Sequence, residues 1–326
     1  MLTVHAVPHG DDDASRMWAA SWDELRERYG TLHGPSDMGA DGVIASLVGY
    51  IGDEAVGSVV VRFSEFDGQA PAAEIKRLYV VPERRGNGYS RVLMGAAEDT
   101  ARRAGATRII AETGNKQPEA VRLYERIAYS HISKYGPHKT DAHSICFEKS
   151  LPTRVLVISG TIGAGKTTVA WTVSDLLSGR GVRHAMIDGD RFAQAEPAPA
   201  SDPYNQKLMF ASLRAVAPLY RDRGYGCIVL PRVVEEEADR RRYEEAFGGP
   251  GGAAQVGIVR LTASEGTRRE RLRRREPEGR WLDWALDRTV ELEAVLADVG
   301  AEDGVVENDG PDRLEVAAEV LEAVGW

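Results

Sequence analysis

Gly160-Thr-Ile-Gly-Ala-Gly-Lys-Thr167 follows the apolar run VLVIS (155–159) and opens a helical pattern over Lys166–Leu177. The spacing fits G-x-x-x-x-G-K-S/T in the strand–loop–helix setting that this motif requires. Each residue type has a physical reason. Gly160, Gly163 and Gly165 let the backbone curl tightly, so that the N–H groups of Ile162, Gly163, Ala164, Gly165, Lys166, Thr167 and Thr168 point inward at a polyphosphate. The helix start adds partial positive charge. Lys166 is then placed to reach the β- and γ-phosphates, and the Thr167 hydroxyl to ligate Mg²⁺.

Working outward, the second half of the chain alternates strands and helices. HAMID (184–188), GCIVL (226–230), VGIVRL (256–261) and GVVEN (304–308) read as further strands. Helices are expected over Gln206–Tyr220, Glu235–Phe247, a basic stretch from Gly266, Trp281–Leu296 and Asp312–Val324. Alternation of this kind implies α/β architecture, a parallel sheet covered by helices on both faces. Strand HAMID runs into Asp188-Gly-Asp190-Arg191, at the strand end where open α/β sheets bind ligands. Phosphoryl transfer to an alcohol needs a carboxylate to orient the hydroxyl and accept its proton, and another on the metal side. Asp190 is the candidate base, Asp188 the candidate metal-side group and Arg191 the candidate substrate anchor. Asp-Gly-Asp is also an ordinary turn sequence with solvated charges. Arg268, Arg269, Arg271, Arg273, Arg274 and Arg275 crowd one helical stretch. Arg271 and Arg275 share a face and are the candidates for placing guanidinium groups on transferring phosphoryl oxygens. A solvated helix paired with Glu270 and Glu276 is the alternative.

The boundary between the halves falls near Ser150-Leu-Pro-Thr-Arg154, which gives domains 1–151 and 152–326. Before it, Thr3–Val7 reads as a strand and Ala14–Tyr29 as a helix with Trp18, Trp22, Leu25 and Tyr29 on one core-facing stripe. SLVGYIG (46–52), EAVGSVVVRF (54–63) and EIKRLYVV (74–81) are β-like. A helix over Arg91–Ala104, strand RIIAET (108–113), a helix over Pro118–Ile127 and strand SICFEKSL (144–151) follow. The order β-α-βββ-α-β-α-β is α+β with a mixed or antiparallel sheet. Arg85-Gly-Asn-Gly-Tyr-Ser90 forms R-x-x-G-x-S between a strand and a helix, a second anion-binding turn. His131, His138, His143 and Cys146 match no usual zinc spacing and read as a loop or hairpin.

Residues 154–326 resemble a small-molecule P-loop kinase of the nucleotide-kinase-like superfamily, near adenylylsulfate kinases, gluconate kinases and chloramphenicol phosphotransferase. GTIGAGKTT, IDGDRF and VVENDGPDRLEVAAEVLEAV carry the likeness. It implies ATP with Mg²⁺ and a compact hydroxyl acceptor. One departure is that GCIVLPRVV lacks the acidic residue that other P-loop enzymes use for the metal, which shifts that role toward Asp188. Residues 3–151 resemble the GNAT acetyltransferase superfamily, through the Val80 to Ser90 turn and the NKQPEAVRLYERIAY segment (115–129). This likeness implies acetyl-CoA held by Val80, Arg85, Gly86, Asn87, Gly88, Ser90 and Asn115. It further implies Tyr124 as general acid beside the thiolate and Glu74 as base for an amine. Tyr124 as a core ring and Glu74 as a solvated strand charge are the plain alternatives. Ser90 stands where the family has a small Gly or Ala, and Ala128 where it has Gly.

The composition bounds these readings. The chain has 326 residues, is 43% hydrophobic and 28% charged, and carries a net charge of -9. That suits two soluble globular domains and excludes a mainly disordered chain. No apolar run approaches the ~20 residues of a membrane span. MLTVHAVPHGDDD lacks the features of a signal peptide, and two cysteines exclude a disulfide framework; a cytoplasmic location is expected. The acidic balance disfavours nucleic acid and hints at a cationic small substrate. The expected function is a bifunctional small-molecule-modifying enzyme, N-acetyltransferase and ATP-dependent phosphotransferase, acting on an antibiotic or specialised metabolite. A kinase with a regulatory acetyl-CoA-binding module is the first alternative and a polynucleotide kinase the second.

Overall fold

The computed structural model describes residues 1–30, 39–65, 72–310 and 312–326. It separates into two units, Met1–Leu151 in one and Pro152–Arg221 with Tyr225–Trp326 in the other.

The first unit contains β1 (Thr3–Val7), α1 (Asp12–Tyr29), β2 (Val43–Ile51), β3 (Glu54–Phe63), β4 (Ala72–Val80), α2 (Tyr89–Arg103), β5 (Arg108–Gly114), α3 (Pro118–Arg126), β6 (Ser130–Ile132) and β7 (Ser144–Ser150). They form a seven-stranded mixed sheet in the order β1-β2-β3-β4-β5-β7-β6. The β4–β5 pair is parallel and its neighbours are antiparallel. Alternation along β3 decides which helix lies on which face. Val59 and Val61 pack with Leu93, Met94, Ala97 and Ala101 of α2, whereas Val60 packs with Ala14, Met17 and Trp18 of α1. Helix α1 starts where the Asp11 carboxylate accepts hydrogen bonds from the N–H groups of Asp13 and Ala14, at 3.0 and 3.2 Å. Its tryptophan stripe divides. Trp18 is buried core, while Trp22, Leu25 and Tyr29 are half-buried on a cavity wall. The segment around His131 is a hairpin, with β6 pairing antiparallel to β7.

A bulge in the β3–β4 ladder shapes the site. Pairing jumps from Ser58 opposite Tyr79 to Val60 opposite Lys76, and Arg77 sits at φ +53°. Only Ala72–Ile75 of β4 pair with β5. From Lys76 onward the two strands diverge, and the β5-facing edge of β4 carries no ladder partner among the described residues.

The second unit contains β8 (Arg154–Gly160), α4 (Lys166–Gly179), β9 (His184–Met186), α5 (Gln206–Arg221), β10 (Cys227–Pro231), α6 (Ala238–Ala246), β11 (Gln255–Thr262), α7 (Glu265–Arg275), α8 (Arg280–Val299), β12 (Gly304–Glu307) and α9 (Arg313–Ala323). Its five strands run in the order β12-β11-β8-β10-β9, and every pairing is parallel. Strand faces explain the continuous apolar runs. Leu156 and Ile158 pack with α4 and α9, while Val155 and Val157 pack with α5 and α6. Two elements are shorter than expected. Strand β9 ends at Met186, and a short 3-10 turn, Gly189–Ala193, begins once the Asp188 carboxylate accepts a hydrogen bond from the Asp190 N–H. Helix α6 begins at Ala238 rather than Glu235, because the buried Asp239 carboxylate captures the N–H groups of Glu235 and Glu236 in a preceding turn. Neither Cys146 nor Cys227 is in a disulfide, and both are buried. Among the described residues no helix is long and apolar enough to cross a membrane.

Candidate functional sites

In the first unit the turn after β4 is built by two left-handed glycines, Gly86 at φ +81° and Gly88 at φ +80°, with Gly88 capping α2. Asn87 braces the turn by donating to the Arg84 and Arg85 carbonyls at 3.0 and 3.2 Å. Arg85 donates to the Val80 carbonyl at 2.9 Å and makes a bidentate pair with Glu24 of α1, at 2.6 and 3.1 Å. That pairing holds the Glu24 carboxyl below its usual range. A cavity of about 230 Å³ lies between Leu78 and Val80 of β4, the turn at Arg85, Gly86 and Gly88, and Ser90 of α2. The sequence-expected group Val80, Arg85, Gly86, Gly88 and Ser90 is thus gathered on one cavity. Asn115 is not among its walls. Its N–H donates to the His143 carbonyl at 2.8 Å and its side-chain oxygen faces His143 Nδ1 at 3.1 Å. It therefore ties the end of β5 to the segment leading into β7.

A neighbouring cavity of about 880 Å³ lies where β4 and β5 diverge, and Tyr124 of α3 and Glu112 of β5 both line it. Tyr124 is buried against Tyr129 and Phe147, and burial, with Glu112 adding to it, pushes its phenol pKa up. The ring is core and cavity wall at once. Glu74 is not a solvated strand charge: it is 2% exposed, pairs with Lys76 Nζ at 2.8 Å and accepts a hydrogen bond from the Tyr135 hydroxyl at 2.8 Å. It sits behind the cavity wall, whereas Glu112 faces in and accepts from Ser144 Oγ at 2.6 Å. Sequence reading passed over Glu112. The available signal was an acid directly after the apolar run Ile109-Ile110-Ala111 of β5. The histidines go to separate partners, His131 to Glu125, His138 to Glu112 and Lys76, and His143 to Asn115. Among the described residues no group of three or more His, Cys, Asp or Glu is placed to hold a metal ion.

In the second unit, left-handed Gly163 and Gly165 carry the chain from β8 into α4 at φ +83° and +97°. Asn308, just after β12, donates to the Ala164 carbonyl at 2.7 Å and fills the space beside Gly165 that a Cβ would need. Lys166 Nζ donates to the Gly160 and Thr161 carbonyls at 3.0 Å each. Burial lowers its pKa to about 8, against the opposing pull of Asp190. A cleft of about 980 Å³ is lined by Gly165, Lys166, Thr167, Asp190, Arg232 and Arg275, among others.

The expected set is only partly assembled there. Asp188 caps the turn that presents Asp190 and is not on the cleft wall. Arg191 is 75% exposed, lies 3.8 Å from Asp188 and also stays off the wall. The arginine that pairs with Asp190 is Arg232, in the segment after β10 where the strand lacks an acid. The lid arginines separate. Arg275 lines the cleft, while Arg271 points at the loop itself, donating to the Asn308 carbonyl at 2.7 Å and to Gly163 and Ala164 at 3.4 Å. Burial lowers the pKa of Arg271. Hydroxyl and carboxylate oxygens of Thr167 and Asp190, facing one cleft, are hard donors that suit Mg²⁺.

Residues 11–129 match the model of the acetyltransferase (GNAT) family. An IAA acetyltransferase of Azospirillum brasilense is 34% identical over 85 residues, which cover 26% of this chain and 56% of that protein. The match thus spans little more than half of that relative. Among solved structures, an IAA acetyltransferase from Bacillus cereus is 16% identical, covering 46% of this chain and all of its own, with a TM-score of 0.35. A gluconokinase from Sinorhizobium meliloti is 19% identical and covers 53% of this chain and 92% of its own, with a TM-score of 0.39. The chain carries a GNAT fold in its N-terminal part, followed by a parallel α/β unit with a P-loop.

Proposed function

We propose that the chain joins two transferases for small molecules: an N-acetyltransferase using acetyl-CoA, and a kinase using ATP with Mg²⁺ on a hydroxyl acceptor. For the first, the carrying observation is the divergence of β4 from β5 after Ile75, which leads from the cavity of Tyr124 and Glu112 to the glycine turn at Arg85–Ser90. A diphosphate fits the N–H groups of the turn and the start of α2. The extended arm of acetyl-CoA fits beside a strand edge that has no ladder partner, where main-chain groups can meet it. Glu112 accepts the proton of the attacking amine, and Tyr124, kept protonated by burial, supplies one to the departing sulfur. Glu74, fixed by Lys76 and Tyr135, supports the strand rather than meeting the amine.

For the second, Lys166, Thr167, Asp190 and Arg275 on one cleft support the reading. Asp190 orients the acceptor hydroxyl and takes its proton, with Arg232 fixing the carboxylate. Lys166 and Arg275 face the charge that develops on the transferring phosphoryl group. Mg²⁺ would be held by the Thr167 hydroxyl and phosphate oxygens, and when bound it supplies neutralising charge.

The test is kinetic. Glu112→Gln should lower acetyl transfer about 100-fold while leaving acetyl-CoA affinity in calorimetry unchanged. Asp190→Asn should abolish ATP-dependent phosphorylation without weakening ATP binding. Full activity in either variant removes the role given to that carboxylate. Acetyl-CoA binding without any turnover would instead favour the regulatory-module alternative.

A further inference from the structure

Helix α8 turns one narrow stripe toward the phosphate cleft. Trp281, Trp284, Arg288 and Leu292 follow at spacings of three, four and four, and all four line the cavity that holds Lys166 and Asp190. The buried row of α8, Leu282, Ala285, Thr289, Leu292 and Leu296, shares only Leu292 with this stripe, so its packing does not require the two tryptophans. They are large and wet: Trp281 is 58% and Trp284 38% exposed, and their rings stack at 4.7 Å with 23° between planes. Two stacked indoles open to a cavity beside a phosphate loop are costly to leave hydrated, and they offer a broad flat face.

The surroundings say which substrate this face serves. Arg288 sits over the Tyr204 ring at 5.3 Å and pairs with Glu235, which joins the stripe to the cleft side bearing Tyr204 and Asp190. Arg271 and Asn308, which clasp the loop, are not among the residues that line this cleft. The cleft that holds Asp190 therefore has an aromatic wall. Several of its polar groups are engaged within the protein. Asn205 donates to the Ala193 and Ala195 carbonyls at 2.9 and 2.8 Å, Glu235 faces Arg288, and Asp190 faces Arg232. The cleft cations, Lys166, Arg232, Arg275 and Arg288, outnumber the carboxylates Asp190, Glu196 and Glu235, which opposes a cationic ligand.

We infer that the phosphoryl acceptor is a hydroxyl-bearing compound with a flat aromatic ring, seated on the Trp281–Trp284 platform of α8. The inference rests on the kinase reading for the word acceptor, and its test separates the two. Binding of tryptophol and cinnamyl alcohol to the full chain is followed by ligand-observed NMR, with gluconate and myo-inositol as non-aromatic probes. The flat alcohols should bind and outcompete the polyols by about tenfold or more. Trp281→Ala/Trp284→Ala should lose that binding while ATP affinity stays unchanged, and Trp281→Phe/Trp284→Phe, which keeps aromatic surface, should restore most of it. Equal binding of the polyols, or flat-probe binding that survives the double alanine variant, overturns the inference. A loss of ATP affinity in that variant also overturns it, since the platform would then seat the donor. Failure of the wild-type chain to bind ATP would refute the kinase reading, and the flat-probe measurement would still decide the platform.

Discussion

Lys166 is the residue whose chemistry is most exposed to test. Held against the Gly160 and Thr161 carbonyls and half-buried, it titrates near 8 rather than in the usual lysine range. The sign follows from which form a polyphosphate prefers. Below about pH 8 the ammonium is present and binding needs no proton; above it the free protein carries a neutral amine that must be charged on binding. Affinity for a non-hydrolysable ATP analogue should therefore fall as pH rises past 8, by up to about tenfold per unit. Calorimetry at pH values above 8, in buffers of different ionisation enthalpy, should show proton uptake, and buffer-independent heats would contradict the assignment. Tyr124 behaves in the opposite sense. Burial raises its pKa, so it stays protonated through neutral pH and sets no limb of the acetyl-transfer profile there.

At the scale of elements, the phosphate loop is held from outside as well as by its own glycines. Asn308 after β12 and Arg271 of α7 both end on loop carbonyls, and Gly165 has a left-handed φ with Asn308 filling the space beside it. Asn308→Ala should weaken ATP binding about tenfold, as expected for losing a buried hydrogen bond to the loop, and should leave acetyl-CoA binding untouched. Differential binding assays on the same preparation check this, and equal losses for both ligands would point to general unfolding instead. The same elements show what sequence carries. The P-loop and the Arg85–Ser90 turn were legible because their chemistry is local: glycines, a lysine and a helix start within a few residues. Asn308, Arg232 and Glu112 were not, because each matters only through which strand lies beside it. Arg271 and Arg275 share a helix face, but α7 packs so that one braces the loop and the other faces the cleft. The tryptophans of α8 read as helix residues, and only the cavity beside them marks that face as a wall.

At the scale of the whole molecule, the net charge of -9 differs in sign from the charge lining the phosphate cleft. Charges on the cleft are mostly basic and locally paired, so the acidic excess lies elsewhere and does not describe what the cleft attracts. The order of elements was a better guide. β-α-βββ separated a mixed sheet from the strictly alternating parallel unit that follows, and the small hairpin strand β6 escaped because three residues leave too little pattern to read. The proposed function puts two transferase sites on one chain. Its most direct measurement is a panel of amine- and hydroxyl-bearing metabolites and antibiotics, given acetyl-CoA and ATP separately and scored by product mass. Wild-type, Lys166→Ala and Tyr124→Phe chains are compared. The account predicts acetylated products that survive Lys166→Ala and are lost in Tyr124→Phe, and phosphorylated products with the reverse pattern. A single product type, or one variant abolishing both, would contradict it.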